Sequence, residues 1–337
     1  MKAFILAAGL GERLRPLTGA LPKPLVPVFN RPVIGHVIDA LFAAGCTEIG
    51  INVHAFPDKM TAYLTEHRDD ADRLSVFHEE ELLGSVGTIR RCREFFADGP
   101  VLVTCADIIS TTDFAGLIEQ HMRRRPTVTM AGVPVTADWS GDYVETSDGI
   151  SVRSFSYKPG RPVGDSVTGC YGTWIAEPDL LDGAAPDAFD VSRDVLTALP
   201  SGPRTMDVFE DDRVRLCDVG EYELLHLANT KGIEGVFRTD HRAREAAPGV
   251  YDQGDTDLRP AAVLTGPVLL GREVVLGDGC ELSGPLVVGH RAVIGAGARV
   301  VDSVLLPGCA VPDGALVENT VFGDPAAVWP AMVANLF

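Results

Sequence analysis

Over residues 1–110 the hydrophobic positions keep two rhythms. Residues 3–7 form a short apolar run that ends in glycines, and Ile49–Val53 and Val101–Cys105 are similar runs. Between them, residues 33–44 place Val33, Val37, Ile38, Leu41 and Ala44 on one face of a helix. Strands alternating with helices predict βαβ units and a mostly parallel sheet, an α/β fold. Across residues 127–171 β-branched residues thicken and the helical rhythm fades. A further helix is expected over 190–199 and a strand over 214–217.

The texture changes near residue 236. Residues 237–262 are polar, contain Pro248-Gly249 and Arg259-Pro260, and read as a linker. Beyond them Leu264, Leu270, Leu276, Leu282, Val288, Ile294, Val300 and Leu306 recur at intervals of six. Glycine follows at Gly271, Gly277, Gly289 and Gly295. A hexapeptide period builds a parallel β-helix, with the aliphatic pointing inward on each flat face. This length gives two to three coils. The expected division is therefore a catalytic-type α/β domain over 1–236, a linker over 237–262 and a short β-helix over 263–337.

The chain has 337 residues, which fits about two domains at roughly 150 residues each. With 46% hydrophobic and 23% charged residues it is neither disordered nor a coiled coil. No apolar run approaches the ~18 residues of a membrane span. The opening apolar stretch is too short for a signal peptide, and Gly-Leu-Gly-Glu-Arg is no cleavage site. Seven cysteines, none at CxxC spacing, suit reduced thiols, so a cytoplasmic protein is expected. The eight histidines form no HxxxH pair, so a zinc site is not expected. A net charge of −18 argues against nucleic-acid and membrane partners. Yet residues 1–31 hold Lys2, Arg13, Arg15, Lys23 and Arg31 against Glu12 alone, a local +4 that suggests a specific anionic ligand.

That basic island contains the most informative string: Leu6-Ala7-Ala8-Gly9-Leu10-Gly11-Glu12-Arg13-Leu14-Arg15-Pro16-Leu17-Thr18, then Pro22-Lys23-Pro24-Leu25-Val26-Pro27-Val28. Gly9 and Gly11 allow close backbone approach, and exposed N–H groups in such a loop cradle phosphate oxygens. The third glycine of a dinucleotide fingerprint is missing, and no Gly-Lys-Ser/Thr follows, which excludes a P-loop. Lys23, held between prolines, suits phosphoryl charge that grows in a transition state.

The whole string resembles the signature of the sugar-1-phosphate nucleotidyltransferases, or NDP-sugar pyrophosphorylases, closest to mannose-1-phosphate guanylyltransferase-like members. The resemblance continues through Leu83-Gly84-Ser85-Val86-Gly87-Thr88, Ala106-Asp107, Lys158-Pro159, Val167-Thr168-Gly169 and Asp218-Val219-Gly220. It implies a Rossmann-like nucleotidyltransferase domain followed by a short left-handed β-helix. The implied reaction joins an NTP and a sugar-1-phosphate into an NDP-sugar and pyrophosphate, with Mg2+ as cofactor. By the same resemblance Leu6, Ala8, Gly9 and Gly11 meet the nucleotide, Arg13 its β- and γ-phosphates and Lys23 its α-phosphate. Glu80 and Gly84 lie where the base is read. Asp107 and Asp218 hold the metal, and Lys158 the phosphate of the sugar. Gly141, Tyr157 and Thr168 line the sugar pocket.

The departures cluster at the sugar end. Tyr157 stands where the family usually has Glu before Lys-Pro, and a phenol reads hydroxyls differently from a carboxylate. Ser140-Gly141-Asp142-Tyr143-Val144-Glu145 aligns with the family's Tyr-Gly-Val-Val-Glu in two ways. An unusual sugar, such as a heptose, octose, aminosugar or cyclitol phosphate, is expected. Guanine is the expected base, from the Glu-Leu-Leu-Gly-Ser-Val-Gly loop and the β-helix, with a uridylyl- or thymidylyltransferase as the alternative. A non-catalytic regulatory subunit is the other alternative, which the survival of Arg13, Lys23, Asp107 and Asp218 disfavours. A β-helix this short suits assembly rather than acyl transfer, and a homodimer or homotetramer is expected.

Overall fold

A computed structural model describes residues 1–136, 139–158, 166–202, 204–237, 242–254, 256–258 and 262–335. Its centre is a nine-stranded sheet. Leu74–His78, Ile49–Val53, Lys2–Leu6 and Val101–Cys105 lie side by side and parallel, with Leu6 opposite Asn52 on one side and Cys105 on the other. Both faces of this core are covered, one around Ile5, Ile34 and Leu41 and the other around Phe4, Phe95 and Val103. That double cover is why these strands read as continuous apolar runs rather than alternating ones.

The flank is antiparallel except at its outer edge, where Met206–Glu210 runs parallel to Val128–Pro134. The long strand Val167–Ala176 pairs with Val101–Cys105 through its last residues and with Asp142–Thr146 through its first. Val128–Pro134 runs along it, and Met206–Glu210 and Val152–Ser156 form the edges. The expected helix over 190–199 is only a widened turn, Ser192–Leu196, followed by Leu199–Ser201. Two causes are local. The Asp194 carboxylate accepts the Phe189 and Asp190 N–H groups and winds the entry around itself, and Pro200 supplies no N–H. The strand expected over 214–217 runs Leu216–Asp218, antiparallel to Ile108–Ser110.

After this come three faces of short parallel strands. Val268 pairs with Leu286 and Val275 with Val293, each eighteen residues on. Among the described residues there are three complete coils, over 268–283, 286–301 and 304–318. Leu270, Leu276, Leu282, Val288, Ile294 and Val300 form the dry interior. The eighth member of the six-residue series does not follow. Val288 pairs with Leu305, seventeen residues on, and Leu305 takes the interior place. The cause is one corner. Gly284-Pro285 turns it in one coil, whereas a single left-handed residue, Asp302 with φ 41°, turns it in the next. Leu306 is displaced outward, into the core shared with the sheet domain.

The expected linker is also partly ordered into the stack. Within 237–262, Val250–Asp252 already pairs in parallel with Val268–Leu270. Residues 238–241, 255 and 259–261 of that segment lie outside the described residues.

The coils pack on the sheet domain through the helix Tyr222–Ile233, which lies over Leu286–Val288, Val304–Leu305 and Val321–Phe322. His226 Nε2–H donates to the Asp302 carbonyl at 2.7 Å. Asn30 donates to the Val288 carbonyl at 2.9 Å. The helix Pro325–Val333 comes back to touch the turn Leu17–Gly19. No helix among the described residues is long and apolar enough to cross a membrane.

Two outcomes follow for stability. Leu282→Ala should remove about 2–5 kcal/mol by opening a cavity in a coil interior, read from urea unfolding. Burial lowers His36, His121 and His290 to about 4. Their depressed values favour the neutral ring in the fold, so this stability is complete above the ordinary histidine range. It should fall as pH drops from about 6.5 toward 4, at about 1.4 kcal/mol per pH unit for each histidine. His290 shows the structural reason, because its Nδ1 accepts the Arg272 N–H at 2.8 Å and cannot do so when protonated. Urea midpoints at pH 7.5 and 5 measure the drop.

Candidate active site

The loop that leaves Lys2–Leu6 is fixed by three bonds. Ala7 N–H donates to Asn52 Oδ1 at 2.7 Å. Leu14 N–H and the Thr18 hydroxyl both donate to the Gly11 carbonyl, at 3.0 and 2.7 Å. Gly11 has φ 65°, and a Cβ there would lie 2.9 Å from Lys23 Cβ. The glycine therefore serves two ends: it turns the loop through left-handed space, and it lets the Lys23 stem pack against the backbone.

Lys23 begins the short turn Lys23–Leu25, with prolines on both sides. Its ammonium lies 2.5 Å from Asp107 Oδ2 and 3.2 Å from Asp218 Oδ1. Asp107 follows the strand Val101–Cys105, at the carboxyl end of the parallel core. Asp218 ends Leu216–Asp218, and the ribbon with Ile108–Ser110 carries it to the same place. Val219 N–H closes the ribbon onto the Asp107 carbonyl at 2.8 Å. Burial alone would lower the Lys23 pKa, but the two carboxylates outweigh it and hold the ammonium above its ordinary value. Arg13 stands beside them: its Nη1 is 2.5 Å from Glu221 Oε1, and a Cβ on Gly220 would meet both Arg13 Nη2 and Asp218 Oδ1 at 3.0 Å.

A cavity of about 330 Å3 opens here, lined by Leu6, Ala8, Gly9, Lys23, Gly84 and Asp107 together with Asn52, Glu79, Leu82, Thr88 and Phe189. The acid in its wall is Glu79, not Glu80. Glu79 is buried, and its Oε1 accepts Asn52 Nδ2 at 2.9 Å and the Thr88 hydroxyl at 2.6 Å. Glu80 is exposed and lies outside the lining. Asn52 and Phe189 were not singled out by the sequence reading. Asn52 did leave a signal, as the one amide in an otherwise apolar central strand. Phe189 left none, because its place depends on Val86 N–H donating to its carbonyl at 3.1 Å.

Gly141, Tyr157, Lys158 and Thr168 lie on the antiparallel flank. Among the described residues no hydrogen bond or ion pair joins them to Lys23, Asp107 or Asp218. Lys158 has φ 38°; its N–H donates to Asp142 Oδ1 at 3.2 Å, and its ammonium sits 5.3 Å from the centre of the Tyr157 ring. Burial holds the Asp142 carboxyl above its ordinary range. Thr168 donates to the Glu210 carboxylate, and Gly141 lies under the Trp139 indole. Pro159 of the Lys-Pro pair lies outside the described residues.

No group of three or more His, Cys, Asp or Glu side chains suited to a metal occurs among the described residues. Asp107 and Asp218 are two hard-oxygen donors that already share one cation, Lys23. Such a pair fits a magnesium ion that draws its remaining ligands from water and phosphate.

The profile of the family described as Nucleotidyl transferase matches residues 2–202. The chain is similar to a mannose-1-phosphate guanyltransferase of Aspergillus fumigatus, at 30% identity over 97% of this chain and 87% of that one. It is also similar to a UTP–glucose-1-phosphate uridylyltransferase of Synechocystis sp., at 27% over 98% and 84%. Among solved structures, HddC from Yersinia pseudotuberculosis complexed with GMP-PN shares the fold, with a TM-score of 0.56 and 22% identity. That match covers 68% of this chain and 99% of HddC.

Gly11→Ala should lower stability by about 1–2 kcal/mol through the left-handed φ alone, with displacement of Lys23 added. Gly9→Ala is the contrast, because a Cβ there meets nothing within 4 Å. Thermal unfolding of the two variants should separate them clearly.

Proposed function

The chain belongs to the nucleotidyl transferase family, and from that premise we propose that it transfers a nucleotidyl group from GTP to a sugar-1-phosphate, releasing pyrophosphate. The observation that carries the reading is the meeting of Lys23, Asp107 and Asp218 at the mouth of the cavity, with Arg13 beside them. A phosphate oxygen of the sugar phosphate forms a bond to the α-phosphorus. The bond from that phosphorus to the bridging oxygen breaks, and its electron pair leaves on pyrophosphate. Positioning and charge neutralisation supply most of the catalysis in such a transfer.

Each side chain has a task in this scheme. Gly9, Gly11 and the backbone from Leu6 to Ala8 seat the nucleotide. Lys23 draws charge from the α-phosphate, and Arg13 holds the departing pyrophosphate. A magnesium ion on Asp107 and Asp218 would neutralise phosphate charge. Lys158, from the flank, holds the acceptor's phosphate, with Tyr157, Gly141 and Thr168 around its ring.

Glu79 supports guanine as the base. Its Oε1 is used by Asn52 and Thr88, while among the described residues Oε2 has only the long contact, 3.4 Å, from Leu83 N–H. A carboxylate accepts and does not donate. Guanine presents two adjacent donors, N1–H and the N2 amine, and so suits this wall best.

Pyrophosphate release, measured with GTP, UTP, dTTP, ATP and CTP against a panel of sugar phosphates with Mg2+, tests the reading. GTP should be preferred, and Lys23→Ala or Asp107→Ala should cut turnover by about 100-fold or more. Release with UTP instead would correct the base and keep the class, and no release with any pair would overturn the proposal. Glu79→Gln should cost about tenfold in the preference for GTP, seen in kcat/KM for the competing nucleotides.

A further inference from the structure

The ammonium of Lys23 sits where the proposed function places a divalent ion. It lies 2.5 Å from Asp107 and 3.2 Å from Asp218, and only 11% of the side chain is exposed. The position is built rather than incidental, since the stem lies against Gly11 and the backbone is fixed between Pro22 and Pro24. A magnesium ion would draw on the same two carboxylates that Lys23 holds. Two cations drawn to one carboxylate pair repel each other and compete for it.

We propose that Lys23 is the resident counter-ion of the metal seat, so that the nucleotide-free enzyme resists divalent ions and takes one up together with the nucleotide. The inference rests on the reading of Asp107 and Asp218 given above. The phosphates of the nucleotide offer Lys23 a new anion, and its departure frees both carboxylates. Arg13 makes the same arrangement independently. It is paired with Glu221, 2.5 Å away. Glu221 precedes the helix Tyr222–Ile233 and its side chain does not cap it, so its carboxylate serves Arg13. Lys23 and Arg13 are thus both held on acids that phosphate must replace.

The test measures Mn2+ binding to the full chain without nucleotide, by the loss of the free-ion electron paramagnetic resonance signal. Lys23→Gln should bind Mn2+ about tenfold or more tightly than wild type, since removing one positive charge unmasks two carboxylates. Lys23→Met, also uncharged, should behave as Lys23→Gln does, so the result does not depend on one variant folding. Lys23→Arg keeps the charge and should stay as weak as wild type. Adding Asp107→Asn to Lys23→Gln should abolish the gain, which places it at this seat. Equal affinity in wild type and both neutral variants overturns the inference, whether that affinity is high or nil. Pyrophosphate release by the wild type keeps the two questions apart. Turnover without the Mn2+ gain defeats the counter-ion alone, whereas the gain without turnover defeats the proposed reaction and leaves the counter-ion standing.

Discussion

One ammonium between two carboxylates organises this molecule. Lys23 meets Asp107 and Asp218 across 84 and 195 residues of chain. Neither contact can form unless several segments are already in place. The parallel core must bring the end of Val101–Cys105 beside the end of Lys2–Leu6. The ribbon of Ile108–Ser110 with Leu216–Asp218 must carry the second carboxylate back. Gly11 must lack a side chain, so that the lysine stem can reach across. Lys23 and Asp107 are partly buried, and a buried charge is costly unless it is paired. Asp218 completes the pairing from the exposed side.

The C-terminal coils belong to the same arrangement. Asp218, Gly220 and Glu221 lead directly into Tyr222–Ile233, the helix that rests on the coil stack. Tyr222 accepts the Leu17 N–H through its hydroxyl at 3.2 Å, so the helix also touches the glycine loop. The helix Pro325–Val333 reaches the same loop from the far end of the chain. Through these two helices the coil stack is in contact with both the segment that carries Asp218 and the turn that follows Arg13.

The sequence conveyed the sheet core, the loop and the repeat because each obeys a local rule. An apolar run buried on both faces, a glycine before a fixed lysine and an aliphatic every six residues are all visible without knowing what lies opposite. The misreadings have the reverse character. Glu79 and Glu80 are adjacent acids, and only the partners Asn52 and Thr88 decide which one turns inward. Leu306 satisfied the six-residue count, but a corner shortened by one residue at Asp302 gave the interior to Leu305. The stretch 190–199 has helical spacing, yet Asp194 spends its carboxylate on its own N-terminal neighbours. In each case a partner distant in sequence, or a side chain competing with the backbone, made the choice.

The two ends of the site are built differently, and this bears on where specificity can vary. The end proposed for the nucleotide stands on four parallel strands with both faces covered, where a changed residue disturbs a packed core. The end proposed for the sugar stands on the flank, where Val152–Ser156 is an edge. Register there already shifts between Val152 and Ser154. Lys158 leaves that edge in a left-handed conformation, held by Asp142 and seated over Tyr157. These contacts are made by side chains and one strained residue, not by a ladder of backbone bonds. A substitution at Tyr157 therefore changes the surface beside Lys158 and leaves the loop over residues 9–23 untouched. A fold built this way can vary the flank by substitutions confined to its edge while the packed end keeps its geometry.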